Sequence, residues 1–118
     1  MEVIGKTIKE VMRNFVYEIN KNVEGIDAFE DFKTKFEVKG KDMKEALQNF
    51  VRKIVDYFEK KGAIFEDLNV EIIPAKKWII KCSLSGKIYK KISKKFKTVK
   101  IEELEENVEF WKLKFYLN

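Results

Sequence analysis

The stretch EVIGKTIKEVMRNFVYEI, Glu2 to Ile19, returns thirty-five residues later as EVKGKDMKEALQNFVRKI, Glu37 to Ile54. Ten of the eighteen positions are identical. Such a repeat constrains the fold, because the local structure open to one copy must be open to the other. In the first copy Thr7 and Glu10 make a T-x-x-E capping box, and Ile8, Val11, Met12, Phe15 and Ile19 follow at helical spacing. In the second, Asp42 is the N-cap and Glu45 stands at the third helical position. Met43, Ala46, Leu47, Phe50, Val51, Ile54, Val55 and Phe58 then form a wide apolar face. Gly62 is placed to end this helix in a left-handed cap. Gly5 and Gly40 each lie between an extended segment and a cap, where a tight strand-to-helix turn is needed. Each copy therefore reads strand, glycine turn, helix.

The two strands are unequal. Phe32, Thr34, Phe36 and Val38 alternate with Lys33, Lys35, Glu37 and Lys39, so one face is buried and one is wet. Ahead of Gly5 stand only Glu2, Val3 and Ile4 after the first residue, so the first copy is short at its front by comparison. NKNVEGIDAFED, Asn20 to Asp31, reads as a loop. After the second helix the period changes to two. Leu68 to Ala75 is a strand ending at Pro74, and Lys76 to Gly86 follows it as the other arm of a hairpin. Phe96 to Leu104 reads as a third strand, although its glutamates also permit a helical turn. Val108 to Leu117 is a fourth, with a register that falters around Trp111, the mark of a bulge or of a strand buried on both faces. This order predicts an α+β fold: two strand-turn-helix repeats followed by antiparallel strands, with two helices packed on one face of a mixed sheet.

A length of 118 residues fits one domain, 1–118, with enough buried surface for a core. A hydrophobic share of 45% excludes a disordered chain. No apolar run reaches the roughly 18 residues of a membrane span, and no signal-peptide pattern precedes the first helix. The single cysteine, Cys82, forms no internal disulfide, which suits a reducing cytoplasm. Of 25 basic residues only Arg13 and Arg52 are arginine, and glutamate supplies 15 of the 20 acids. Such lysine and glutamate usage resembles a thermophile surface, and equally an AT-rich genome.

The loudest local feature is KIYKKISKKFKTVK, Lys87 to Lys100. Lys87, Lys90, Lys91, Lys94, Lys95, Lys97 and Lys100 could neutralise phosphates, with Tyr89 and Phe96 as stacking platforms. The plainer reading is a solvated face balanced by Glu102, Glu103, Glu105, Glu106 and Glu109. The scarcity of arginine argues against specific base reading. Asp27, Glu30 and Asp31 cluster in the expected loop, but their spacing fits no cation-binding loop. Cys82 alternates with Ile80 and Leu84 as a core residue would, and the chain has no histidine to activate it. Trp78 and Trp111 read as sheet aromatics. With no phosphate-cradling glycine loop either, the residues argue against an enzyme.

The chain resembles the archease family, small proteins that assist the tRNA-splicing ligase. GKTIKEVMRNF looks like the family's G-K-T-L-E-E-A-F opening, and VKGKDMKEAL like its V-E-G-E-D-L-E-x-L. LQNFVRKIVDYFEKKGAIF matches L-x-D-W-L-N-E-L-L-Y-L-F-D-x-E-G-x-x-F without a gap. TVK at Thr98 to Lys100 is similar to T-E-V-K, and FWKLKFYLN to the terminal W-x-A-x-V-x-L-D. The departures fall where the family does its work. Archeases begin with a strand carrying H-T-A-D, which does not appear before Gly5. Their late T-Y-H is replaced near Glu102 to Leu104, their terminal aspartate by Asn118, and their N-E pair by Arg52 and Lys53. The family's late lysine is kept as Lys100.

The resemblance implies a divalent metal held between the first and last aspartates. Asn118 is a weak remnant of that site, so no cofactor is expected, and a cation such as Ca²⁺ would need the N-terminal strand to be supplied. The function this predicts is a diverged, non-catalytic, archease-like accessory protein that contacts an RNA ligase or its RNA. The alternatives are a small polyanion-binding module using Lys87 to Lys100, or a structural protein without ligand, such as a homodimer through an exposed sheet edge. All three readings place the protein in the cytoplasm and away from membranes.

Overall fold

The two capped helices form as their sequences require. In a computed structural model describing all residues from Met1 to Asn118, Thr7 Oγ1 accepts the amide of Glu10 and opens α1 (Ile8–Asn20). Asp42 Oδ1 likewise accepts the amide of Glu45 and opens α2 (Met43–Lys61). Gly62, with φ of 65°, closes α2 in the left-handed region. Val11, Met12, Phe15, Val16 and Ile19 of α1 are buried, and so are their repeat equivalents Ala46, Leu47, Phe50, Val51 and Ile54.

Six strands complete the chain: β1 (Glu2–Gly5), β2 (Val23–Gly40), β3 (Ala63–Ile73), β4 (Trp78–Lys94), β5 (Val99–Glu106) and β6 (Trp111–Leu117). The α+β class holds, but the single mixed sheet does not. There are two three-stranded sheets, ordered β1-β6-β5 and β2-β4-β3, and every pairing is antiparallel. The strands β1 and β2, which flank α1, do not lie side by side. Each pairs instead with the second arm of a later hairpin, β1 with β6 and β2 with β4. The two helices do share the buried side of the sheets: α1 packs on β1 and α2 on β2, and each also reaches the other sheet, α1 at β3 and α2 at β5.

Three segments differ from their sequence expectations for tertiary reasons. Asn20 to Asp31, expected as a loop, is mostly strand, because Val23 to Ala28 pair with Lys94 to Tyr89. The polar, glycine-containing stretch has weak strand propensity of its own. A bulge at Phe29 and a left-handed Asp27, φ 60°, absorb its irregularity. β4 runs on to Lys94 rather than ending at Gly86, since β2 supplies it with a partner. The irregularity expected near Trp111 lies instead on β5, between Ile101 and Glu103. β6 alternates cleanly, with Leu113 and Phe115 buried, once Val108 to Phe110 are assigned to the preceding turn.

The eighteen residues of β2 would span about 60 Å if straight. The longest extent of the molecule is 42 Å, so the strand coils strongly. A core of 25 buried residues runs through both sheets, and all of it is hydrophobic. No helix is long and apolar enough to cross a membrane.

Candidate functional site

The polar face of α2 carries Glu45, Gln48, Asn49, Arg52, Asp56 and Glu59 at helical spacing. Opposite runs β5 with its approach, Lys97 to Ile101, and between them lies an open groove of about 770 Å³. Gln48 ties its two walls together. Its Nε2 donates to the Val99 carbonyl at 2.9 Å, and its Oε1 accepts the Ile101 amide at 2.9 Å. Arg52 donates to Asn49 Oδ1 at 3.2 Å, which fixes the guanidinium along the helix. Four acids line the groove, Asp42, Glu45, Asp56 and Glu59, against four bases, Lys44, Arg52, Lys97 and Lys100. The lining is thus electrically balanced, unlike a phosphate channel.

The chain end meets this groove at one corner. The Asn118 carbonyl accepts the amides of Lys97 at 2.7 Å and Thr98 at 3.0 Å, and the Asn118 amide donates to the Thr98 carbonyl at 3.0 Å. Lys100 pairs in register with Tyr116, and its Nζ lies 5.9 Å from the centre of that ring. So Lys97, Lys100 and Asn118, separated in sequence, come together, with Arg52 facing them across the groove. Lys53, the neighbour of Arg52, is exposed outside it.

The lysine tract is spread over several surfaces rather than gathered on one. Successive residues of β4 point to opposite faces, which parts Lys87 and Lys91 from Lys90 and Lys94. Lys87, Lys90, Lys91, Lys95, Lys97 and Lys100 are exposed. Lys94 is mostly covered, pairs with Glu59 of α2, and lies over the Phe96 ring at 5.4 Å. Phe96 is buried. The half-buried Tyr89 ring rests against Gly25, where an added Cβ would come within 2.6 Å of it. Asp31 stands directly across from Lys87, and Asp27 and Glu30 lie on the same strand. Two of the late glutamates are partnered as well: Glu103 lies 3.9 Å from Lys114 and Glu105 lies 3.5 Å from Lys112.

A divalent cation does not fit the residues at the chain-end corner. The side chains there are the cationic Lys97 and Lys100 with the uncharged Thr98 and Asn118, none of them a carboxylate, and the Asn118 carbonyl is already used by two amides. No three carboxylate or cysteine side chains cluster closely enough to hold a metal ion. Cys82 is 4% exposed, and burial pushes its thiol up from 9.0 to about 12, so it is inert as a nucleophile. The α2 side of the groove, Gln48, Asp56 and Glu59, had no distinguishing mark in the sequence. Helical spacing puts them on one polar face, but only the fold brings β5 to it.

Known proteins share this architecture. The solution structure of Methanobacterium thermoautotrophicum protein 1598 superposes with a TM-score of 0.70 at 15% identity, covering 95% of this chain and 85% of that one. Among curated protein sequences none matches. The profile of the archease protein family (MTH1598/TM1083) matches residues 1–115, nearly the whole chain. The chain therefore belongs to the archease family.

Proposed function

We propose that this protein is a non-catalytic accessory factor of RNA ligation, acting in the cytoplasm on a ligase or on its RNA-bound intermediate. The observation that carries this reading is the α2–β5 groove. It brings Lys100, which stands at the family's late lysine, to Arg52 and the Asn118 corner. The groove offers hydrogen-bonding and charged groups of both signs for contact, but no histidine and no activated nucleophile for chemistry. The same corner departs from the family's metal site, so this member is expected to engage its partner through fixed side chains.

Multiple-turnover RNA ligation with and without the protein tests the proposal. Stimulation is expected at substoichiometric amounts. Lys100→Ala together with Arg52→Ala is expected to reduce it roughly tenfold, on the scale of losing charged contacts in a binding site. Absence of stimulation at any ratio sinks the reading. A second reading, polyanion binding through the lysine tract, rests on the exposure of Lys87, Lys90, Lys91 and Lys95. It requires RNA affinity to fall steeply with salt, and a flat dependence removes it.

A further inference from the structure

The two sheets present four edge strands: β1, β5, β3 and β2. Unpaired edges invite pairing with another chain, and proteins cover or shorten them. Three are managed from within this chain. α2 packs against β5, where Gln48 takes both Val99 O and Ile101 N. α1 packs against β3, where Asn20 Nδ2 donates to the Phe65 carbonyl. β1 is only four residues long, and its Ile4 carbonyl accepts from Asn14 Nδ2.

β2 is different. It runs for eighteen residues and pairs with β4 along one side only. On the other side a single backbone group is used, the Lys39 carbonyl, which accepts from Asn49 Nδ2 at 2.7 Å. From Val23 to Val38 the outward amides and carbonyls have no partner in the chain. The strand also exposes two large apolar side chains, Ile26 at 47% and Phe29 at 55%.

Its charges are ordered. Val23 to Asp31 contains Glu24, Asp27, Glu30 and Asp31 and no base. Phe32 to Gly40 contains Lys33, Lys35 and Lys39, with Glu37 as its one acid. A strand with one acidic half and one basic half is complementary to itself when the second copy runs antiparallel. A two-fold axis through Phe32 sets each acidic half beside a basic half, twice, and places Asp31 beside Lys33 and, past the bulge at Phe29, Glu24 beside Lys39 of the second copy on one face. Parallel pairing would set like charges together.

We infer that the outer edge of β2 is an interaction surface for a second copy of this chain, joined antiparallel by strand addition into a six-stranded sheet. Backbone hydrogen bonds supply the contact, the charge halves supply direction and register, and Ile26 and Phe29 gain cover. A second copy is favoured over a foreign strand because the complementarity is contained in β2 itself.

Sedimentation across a concentration series tests this with charge-swapped variants. The wild type is expected to dimerise, more weakly as salt is raised. Glu24→Lys with Asp31→Lys removes the net negative charge of the first half, and Lys33→Glu with Lys39→Glu makes the second half net negative. Each variant alone should dimerise at least roughly tenfold more weakly, and an equimolar mixture should recover association. Hydrogen exchange of the unaltered protein provides a check without substitution: amides in Val23 to Val38 should gain protection as concentration rises, and those of β1 should not. A strict monomer up to about 1 mM overturns the proposal and leaves the edge to a strand of another protein. Dimers indifferent to both swaps, or protected elsewhere than β2, overturn it too.

Discussion

Gln48 does for β5 what a neighbouring strand would do. Its amide matches one carbonyl and one N–H of the edge, both part-buried, across 51 and 53 residues of sequence. Gln48→Ala leaves both backbone groups short of a partner, and should cost about 1–3 kcal/mol in chemical denaturation. Gln48→Glu keeps an acceptor for Ile101 N but sets a carboxylate against Val99 O, so it should rescue little. Equal stability of all three proteins would show that water replaces the amide freely. Nothing in the sequence marks Gln48, because its partners exist only once α2 meets the other sheet. Cys82 was legible by contrast, since alternation with Ile80 and Leu84 already placed it inside. Its thiol titrates near 9.0 when unfolded and near 12 when folded. Between those values the unfolded state gives up the proton first, so the contribution of Cys82 to stability is complete below pH 9 and is lost as pH rises towards 12. Cys82→Ala should therefore show a shallower fall of stability between pH 9 and 10.5 than the wild type. Identical slopes would place the thiol in contact with water.

The two strand-turn-helix elements are equivalent down to single hydrogen bonds. Asn14 and Asn49 are thirty-five residues apart, and each donates to a carbonyl ten residues before it, of Ile4 at 2.8 Å and of Lys39 at 2.7 Å. Each thus staples its helix to the strand that precedes it. Asn14→Ala and Asn49→Ala should each cost about 1 kcal/mol, alike within error, and a marked asymmetry would count against a shared role. Gly5 and Gly40 are equivalent in place but differ in tightness. A Cβ at Gly5 would lie 2.7 Å from Val11 N, and at Gly40 2.2 Å from Ala46 N. Both are backbone atoms of a helix, so relief requires the helix to move. Gly40→Ala should accordingly lower the thermal midpoint more than Gly5→Ala, by an extra 1–3 kcal/mol or so in stability. Caps, glycine turns and apolar faces were readable because they are local and each copy corroborated the other. The first half of β2 was not, because Gly25, Asp27, Glu30 and Asp31 say loop, and only pairing with β4 makes them strand. The groove was half readable: Lys100 stood out through the family resemblance, while its α2 wall did not.

At the scale of the whole molecule the question is whether two sheets make one folding unit. They share no strand pairing. They are joined by helices that cross from one to the other, α1 from β1 to β3 and α2 from β2 to β5. Phe15 of α1 packs edge-on against Phe115 of β6, with ring centres 4.6 Å apart. The α1 helix also sends Asn20 to Phe65 of β3, a strand of the other sheet. On the α2 side, Phe36, Phe50, Tyr57 and Phe65 form an aromatic chain, with Tyr57 and Phe65 centred 5.3 Å apart and Thr34 bonded to the Tyr57 hydroxyl at 2.8 Å. Pulling either helix away exposes core in both sheets, so partial unfolding gains little entropy for the surface it uncovers. The chain supplies its own reporters, because Trp78 lies in β4 of one sheet and Trp111 in β6 of the other. Trp78→Phe and Trp111→Phe each leave one tryptophan, and so one sheet, visible to fluorescence. After correction for the small stability change of each substitution, the two denaturation curves should share one slope and agree with far-ultraviolet circular dichroism. Separate midpoints, or a shallower slope for one tryptophan, would show that the sheets unfold independently and that the crossing helices do not couple them.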